Sequence, residues 1–311
     1  MTPEEMLQLR AQRYNATAVH IRKANPELMI LRVRPDFPRP VHKPGQYCTL
    51  GMFLFEPRYP GCQEEALKDG EEVNLARRAY SISCSILDDD NRLLDIDKTD
   101  WLEFYIVLVK EGGKGGKAPA LTPRIFLLRE GERLAITEKI AGHYTLDPVK
   151  PDDTVLFLST GTGEAPHNYM AWDLLRRGHK GKILSVCCVR LRRDLGYLAI
   201  QEELMRRYPS YRYLSLTTRE PDTIMNKVYI QELLTSGRAE EILDEKLNPE
   251  RMHVYLCGNP AMIGVPTKDP QSGELAYPKP LGVVEILESR GFSADHPHKK
   301  IKGNIHFEEY W

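Results

Sequence analysis

Between residues 17 and about 145, apolar positions come in short runs separated by turn residues: TAVHIRKA, ELMILRVRP, QYCTLGMF, AYSISCSI, LEFYIVLVK and ERLAITEKI. Runs of this length, bounded by Gly, Pro, Asn and Asp, predict β-strands. Short strands with few helices between them predict a closed antiparallel barrel. After DPVKPDD at 147–153 the pattern changes to strands that alternate with helices. TVLFLST, KILSVCCVR, YRYLSLTT and MHVYLCG are the strands, and NYMAWDLLRRG, YLAIQEELMRRY and VYIQELLTSG the helices. That alternation predicts a doubly wound parallel sheet. The change falls near Pro148 to Asp152, so the expected organisation is an antiparallel β-barrel domain over 1–150 followed by an α/β domain over 151–311. A chain of 311 residues also exceeds what one hydrophobic core usually organises.

Three segments stand outside these patterns. Thr2-Pro3-Glu4-Glu5 reads as a capping box with proline at the first helical position, predicting a short helix through about Arg13. EGGKGGKAP at 111–119 is rich in Gly and Lys, but no Ser or Thr follows the lysine as a phosphate loop requires, so it reads as a hairpin tip. VPTKDPQSGELAYPKP at 265–280 reads as a proline-rich insertion after the last sheet strand.

Composition narrows the class without naming it. With 41% apolar and 28% charged residues the chain is of the soluble globular type. A net charge of -1 offers no global attraction to nucleic acid or to a membrane, so any steering must come from local patches. Cys48, Cys62, Cys84, Cys187, Cys188 and Cys257 form no CxxC pair and no cluster spacing, which argues against a zinc or iron–sulfur site. MTPEEMLQLRAQRY has no apolar signal core, and no apolar run reaches about 18 residues. The expectation is a cytoplasmic protein with reduced thiols, in which the sequon Asn15-Ala16-Thr17 is a chance match in a polar turn.

Several short motifs carry chemistry. Arg78-Ala79-Tyr80-Ser81 opens the run AYSISCSI and combines a guanidinium fork suited to phosphate, an aromatic face and a hydroxyl that can donate or accept. Thr122-Pro123 precedes IFLLREG, with Thr122 as a helix N-cap and Pro123 as the first helical residue. Free amides at such a helix start also bind a diphosphate. Ser159-Thr160-Gly161-Thr162-Gly163-Glu164-Ala165-Pro166 lies between a strand and a helix, where glycines let the backbone approach a pyrophosphate. Cys257-Gly258-Asn259-Pro260 ends the last strand of the alternating region, at the carboxyl edge where open sheets bind ligands. HFEEYW places Tyr310 and Trp311 at the end of the sequence, where chain ends usually fray.

Taken in order, these motifs make the chain resemble the ferredoxin/flavodoxin–NADP reductase family over nearly its whole length. The resemblance implies FAD in the barrel and NADP(H) on the parallel sheet. It implies that Arg78 and Thr122 reach the FAD diphosphate, that Tyr80 packs by the flavin, and that Ser81 lies near flavin N5. Tyr310 and Trp311 would cover the flavin or its adenine, with Glu308, and more weakly Glu309, near the reacting atoms. Gly161, Thr162 and Gly163 would receive the nicotinamide-nucleotide diphosphate, and Cys257 would shape the nicotinamide pocket without acting as a nucleophile. Glu164 departs from the family, which often has an apolar residue there; its carboxylate would repel a diphosphate unless turned outward or paired.

The stretch TTREPDTIMNKVYIQ at 217–231 bears on cofactor choice. Thr218, Arg219, Lys227 and Tyr229 could converge on an adenosine 2′-phosphate, where NAD enzymes of doubly wound folds instead commonly place an acid. The resemblance adds Gln231 to this set, and Arg190 by likeness to bacterial members, whereas Arg192 and Arg193 read as solvated charges. The implied activity is hydride transfer between nicotinamide C4 and flavin N5 coupled to single-electron steps, with Ser81, Cys257 and Glu308 in the reacting zone. The implied partner is a small acidic carrier, ferredoxin or flavodoxin, met by a basic rim of Lys110, Lys114, Lys117, Lys299, Lys300 and Lys302. Nothing calls for more than a monomer. Two other readings stay open: an NADH-dependent reductase component of an oxygenase, and a nucleotide-binding subunit without turnover.

Overall fold

A computed structural model describes residues 1–88, 90–113, 116–268, 273, 275–295 and 302–310. The chain divides into two units, Met1–Ser85 with Leu94–His143, and Ile86–Leu93 with Tyr144–Trp311.

The first unit contains α1 (Pro3–Arg13), β1 (Ala16–Asn25), β2 (Leu28–Pro35), β3 (Tyr47–Phe53), β4 (Leu75–Ser81), β5 (Leu102–Val107), α2 (Thr122–Ile125) and β6 (Arg133–Ile136). Its strands form an antiparallel six-stranded sheet in the order β4-β3-β6-β1-β2-β5. The outer strands then meet: Ser83, just beyond β4, bridges Glu103 of β5, its N–H donating to the Glu103 carbonyl at 2.8 Å. Closure of this kind removes unpaired edges, and Leu31, Val33, Leu50, Phe104 and Leu134 are buried. The expected capping box is present, since the Thr2 hydroxyl accepts from Glu5 N–H and Glu5 accepts from Thr2 N–H. None of the residues of α1 is buried. Leu9 packs against the buried cluster of Tyr14, Phe53 and Ala135, and polar contacts add to this: Arg10 donates twice to Glu56 at 2.8 Å, and the Tyr14 hydroxyl donates to Glu56 while accepting from Phe53 N–H.

The second unit contains β7 (Thr154–Thr160), α3 (Glu164–Arg176), β8 (Ile183–Val189), α4 (Leu198–Arg207), β9 (Tyr211–Thr217), α5 (Ile230–Thr235), α6 (Arg238–Leu243), β10 (Met252–Gly258), α7 (Pro260–Ile263), β11 (Thr267–Lys268), β12 (Leu275–Ala276), α8 (Val283–Glu288) and β13 (Ile305–Glu309). Five strands form a parallel sheet in the order β13-β10-β7-β8-β9. Alternate residues point to opposite faces of a strand. One face, with Leu156, Leu158, Leu184, Val186, Val254 and Leu256, packs an aliphatic core against α5, α6, α7 and α8. The other meets α3 and α4 through side chains with polar ends, as when Tyr211 donates to Gln201 of α4. Among the described residues no helix is long and apolar enough to cross a membrane.

The structure corrects several boundaries. β4 ends at Ser81, so Arg78 to Ser81 close a strand rather than open one. The alternation in ISCSI continues because Ile82, Ser83, Cys84, Ser85 and Ile86 are all buried, although the regular ladder has ended. IFLLREG is not a helix: α2 spans four residues, Leu121 precedes it, and Thr122 is inside it rather than its cap. Arg124 is drawn inward, donating to the carbonyls of Ala120 and Leu54 and pairing with Glu65 at 2.7 Å. The helix expected from Val228 starts at Ile230. Residues 305–309 form an outer strand beside β10.

Candidate functional site

At the carboxyl edge of the parallel sheet, two motifs about a hundred residues apart are fitted together. Gly161–Gly163 make a single turn from β7 directly into α3, with Gly161 in the left-handed region at φ 54°. A Cβ on Gly163 would lie 2.3 Å from the Cys257 carbonyl, so only hydrogen fits there. Gly258 has φ 123°, and a Cβ on it would lie 2.3 Å from the Thr160 hydroxyl. That hydroxyl accepts from Asn259 N–H at 2.7 Å, while the Asn259 side chain caps α7 by accepting from Ala261 N–H at 2.8 Å. Bare backbone at a helix start, off the carboxyl ends of parallel strands, suits an anionic nucleotide.

Beside this junction Cys257 of β10 pairs in register with Glu308 of β13, and Tyr310 N–H donates to the Gly258 carbonyl at 2.9 Å. Burial pushes the Cys257 thiol well up, Glu308 adds to the shift and a hydrogen bond with Tyr310 opposes it. The group is therefore a neutral, fully buried thiol rather than a nucleophile. Sequence reasoning missed two residues here. Tyr144 is buried with its hydroxyl 2.7 Å from His167 Nε2, and its neighbours include Cys257 and Glu308. Burial pushes His167 down to about 3, so its ring stays neutral. His167 directly follows GTGEAP in sequence, whereas only packing reveals Tyr144.

The ends of β8 and β9 bring Arg190 and Arg219 together through a backbone bond, Arg219 N–H to the Arg190 carbonyl at 2.8 Å. Both side chains are exposed, and neither pairs with an acid among the described residues. The Thr218 hydroxyl donates to the Val189 carbonyl at 3.3 Å, leaving its lone pairs available. Glu220 accepts from Arg192 N–H at 2.5 Å. Lys227 and Tyr229 are exposed before α5 and Gln231 lies in its first turn; no hydrogen bond joins them to Arg219. A backbone bond thus ties the residues that carry the two arginines to one another at the ends of β8 and β9.

In the first unit Arg78 is exposed, and among the described residues its side chain makes a single, long hydrogen bond, 3.4 Å to the neighbouring Arg77 carbonyl. Its fork has no acidic partner among the described residues. Tyr80 meets Phe104 edge-on at 6.5 Å, burial pushes its hydroxyl pKa up, and Ser81 is buried opposite Tyr47. The Thr122 hydroxyl accepts from Val109 N–H at 3.1 Å and donates to the Val109 carbonyl at 3.4 Å, so it ties α2 to the segment that follows β5. Lys110 is committed to Glu27 at 2.5 Å, whereas Lys117 and Lys302 are exposed. Lys114, Lys299, Lys300 and Trp311 lie outside the described residues. Among the described residues no group of three His, Cys, Asp or Glu is placed to hold a metal ion.

Residues 157–267 match the family model described as an oxidoreductase NAD-binding domain. A flavodoxin/ferredoxin–NADP reductase from Escherichia coli is 32% identical over 223 residues, covering 70% of this chain and 75% of that protein. A ferredoxin NADP+ reductase from Neisseria gonorrhoeae, solved with bound FAD and NADP, superposes with a TM-score of 0.67 over 96% of this chain and 98% of that one, at 19% identity. A cytochrome P450 reductase from Amycolatopsis superposes with a TM-score of 0.60 over 95% of this chain and 69% of that one, at 22% identity.

Proposed function

The chain belongs to the flavodoxin/ferredoxin–NADP reductase family, and from that premise we propose that it exchanges electrons between NADP(H) and ferredoxin or flavodoxin through bound FAD. The observation that carries this reading is the fitted junction at the sheet edge, where Gly163 and Gly258 leave no room for a Cβ. Such a cradle admits a diphosphate to backbone N–H groups at the start of α3.

Bound FAD would supply the conversion between a two-electron hydride donor and one-electron carriers. The chain's own residues orient and select. In the first unit the uncommitted Arg78 fork suits the FAD diphosphate, Tyr80 offers a ring face, and buried Ser81 offers a hydroxyl to the flavin edge. Thr122 supports that site by fixing the backbone at α2. In the second unit Gly161, Thr162 and Gly163 receive the NADP diphosphate, and Arg190, Thr218 and Arg219 hold the 2′-phosphate. Lys227, Tyr229 and Gln231 add charge and adenine contact. Cys257 and Glu308 shape the nicotinamide side of the second unit, with Tyr310 and Trp311 beside them on the chain. The domains are assigned as 1–150 for FAD and 151–311 for NADP(H), and the working species as a cytoplasmic monomer.

Anaerobic titration of the yellow protein, first with NADPH and then with NADH, tests cofactor and donor together. The expected result is bleaching of the flavin spectrum at a much lower concentration of NADPH than of NADH. Equal kcat/KM for the two donors would remove the 2′-phosphate assignment and favour an NADH-dependent reductase component. A protein that fails to reduce any one-electron acceptor with NADPH would instead be a binding subunit.

A further inference from the structure

Beneath the turn at Gly161–Gly163 lies a buried polar cluster for which the reaction has so far supplied no use. Its centre is Glu164, the first residue of α3, 0% exposed. One carboxyl oxygen accepts from Gln201 Nε2 at 3.1 Å and from the Tyr213 hydroxyl at 3.0 Å. The other is buried without a hydrogen-bond partner. Gln201 also donates to the Asn168 side chain at 2.7 Å and accepts from the Tyr211 hydroxyl at 2.5 Å. The Cys187 thiol contacts the carboxyl group and, at 3.8 Å, the Gly161 carbonyl of the turn itself. No Lys or Arg pairs with Glu164 among the described residues. Of the two ways to tolerate this acid beside a diphosphate, turning outward or being paired, the carboxyl group is turned inward and paired with neutral donors.

A buried carboxylate with neutral donors on one oxygen only is poorly compensated, whereas the neutral acid is not. A bound diphosphate sharpens the conflict, because it and an ionised Glu164 would both place negative charge at the start of α3. We propose that Glu164 is a proton-linked positioning residue for the dinucleotide: binding of NADP(H) draws a proton from solvent onto its carboxyl group, and the neutral acid holds the turn in its receiving shape. This rests on the reading that NADP(H) binds at that turn. Cys187 of β8 and Tyr211 and Tyr213 of β9 are the other titratable groups facing it, and burial pushes all three upward so that they stay neutral. Gln201 of α4 and Asn168 of α3 carry no charge, and His167 turns to Tyr144. Glu164 alone changes charge near neutrality, since burial, opposed by bonds from Tyr213, Gln201 and Cys187, pushes it up to about 7.

The affinity of the FAD-loaded protein for NADP+ should then fall as pH rises from 6 to 9, by up to about tenfold per unit over the interval between the free and bound pKa values. Calorimetry of NADP+ binding in two buffers of different ionisation enthalpy reads the proton count directly. Glu164→Gln keeps the bonds to Tyr213 and Gln201 but cannot titrate, and comparison with it cancels proton exchange by the 2′-phosphate. The expected result is a larger proton uptake in the wild type than in Glu164→Gln near pH 7.5, with a steeper loss of affinity above it. Tyr213→Phe, which removes a bond to the carboxylate, should move the wild-type midpoint upward. Equal proton counts and parallel pH profiles in wild type and Glu164→Gln would overturn the proposal while leaving the binding site in place. Absence of NADP+ binding at every pH would overturn the functional reading, and this inference with it.

Discussion

Arg219 shows how far a residue type alone carries an argument. A strand-end arginine with no acidic partner among the described residues is a charge held ready, and a charge-assisted hydrogen bond contributes about 1.5–3 kcal/mol. Arg219→Ala should therefore weaken NADPH binding roughly ten- to hundredfold and leave NADH binding nearly unchanged, as equilibrium titrations with both nucleotides will show. Glu164 shows the reverse, a residue type whose meaning came from its surroundings. Its presence after the glycine turn was legible, but burial against Tyr213 and Gln201 was not, because those partners lie 49 and 37 residues away. Its pKa of about 7 exceeds the ordinary 4.5. The buried site thus costs nothing below about pH 4.5, and the cost grows as the group ionises, reaching about 3 kcal/mol above pH 7. Urea unfolding should find Glu164→Gln more stable than wild type at pH 8 and equal to it near pH 4.5.

Among the elements, the strands of the second unit were the most legible. β7 coincides with TVLFLST because a strand buried on both faces is a continuous apolar run. β13 was not legible as a strand: IHFEE has two charges in five residues, and its place beside β10 is a tertiary fact. The turn into α3 was readable as a glycine turn, but not its closeness to the Cys257 carbonyl. Gly163→Ala must push the turn off β10, and an overpacked contact of this kind costs about 1–3 kcal/mol. NADP+ affinity should fall about ten- to hundredfold with FAD content unchanged, measured by nucleotide titration and flavin absorbance. In α1 the capping box was read correctly, yet its attachment through Tyr14 and Glu56 was not. Tyr14→Phe leaves the buried Phe53 N–H without its acceptor, so the first unit should lose about 1–3 kcal/mol of stability in denaturant unfolding.

For the whole molecule, a net charge of -1 makes any steering of an acidic carrier a local matter. Among the described residues Lys117 and Lys302 are the exposed cations of the expected rim, while Lys110 is spent on Glu27. Reduction of ferredoxin or flavodoxin should slow severalfold from low to high salt, because screening shortens to about 10 Å at 0.1 M. Stopped-flow rates that stay flat across that range would exclude steering by these lysines. The change from a two-residue to a helical period lies near Pro148 to Asp152, whereas the second unit takes up the chain from Tyr144. Hidden from that pattern was Ile86–Leu93, which sits in sequence among the strands of the barrel but belongs to the second unit, where Arg207 of α4 donates to the Asn91 carbonyl. By itself the sequence determined the order and type of most elements and the residue kinds at each strand end, because apolar period and turn chemistry are local properties. Only the tertiary structure decided that the barrel closes through Ser83 and Glu103, that β13 completes the sheet, and that Glu164 is buried beneath the Gly161–Gly163 turn. Edge pairing, close backbone approach and the dielectric around a carboxyl group depend on residues tens to a hundred positions away, which no local pattern encodes.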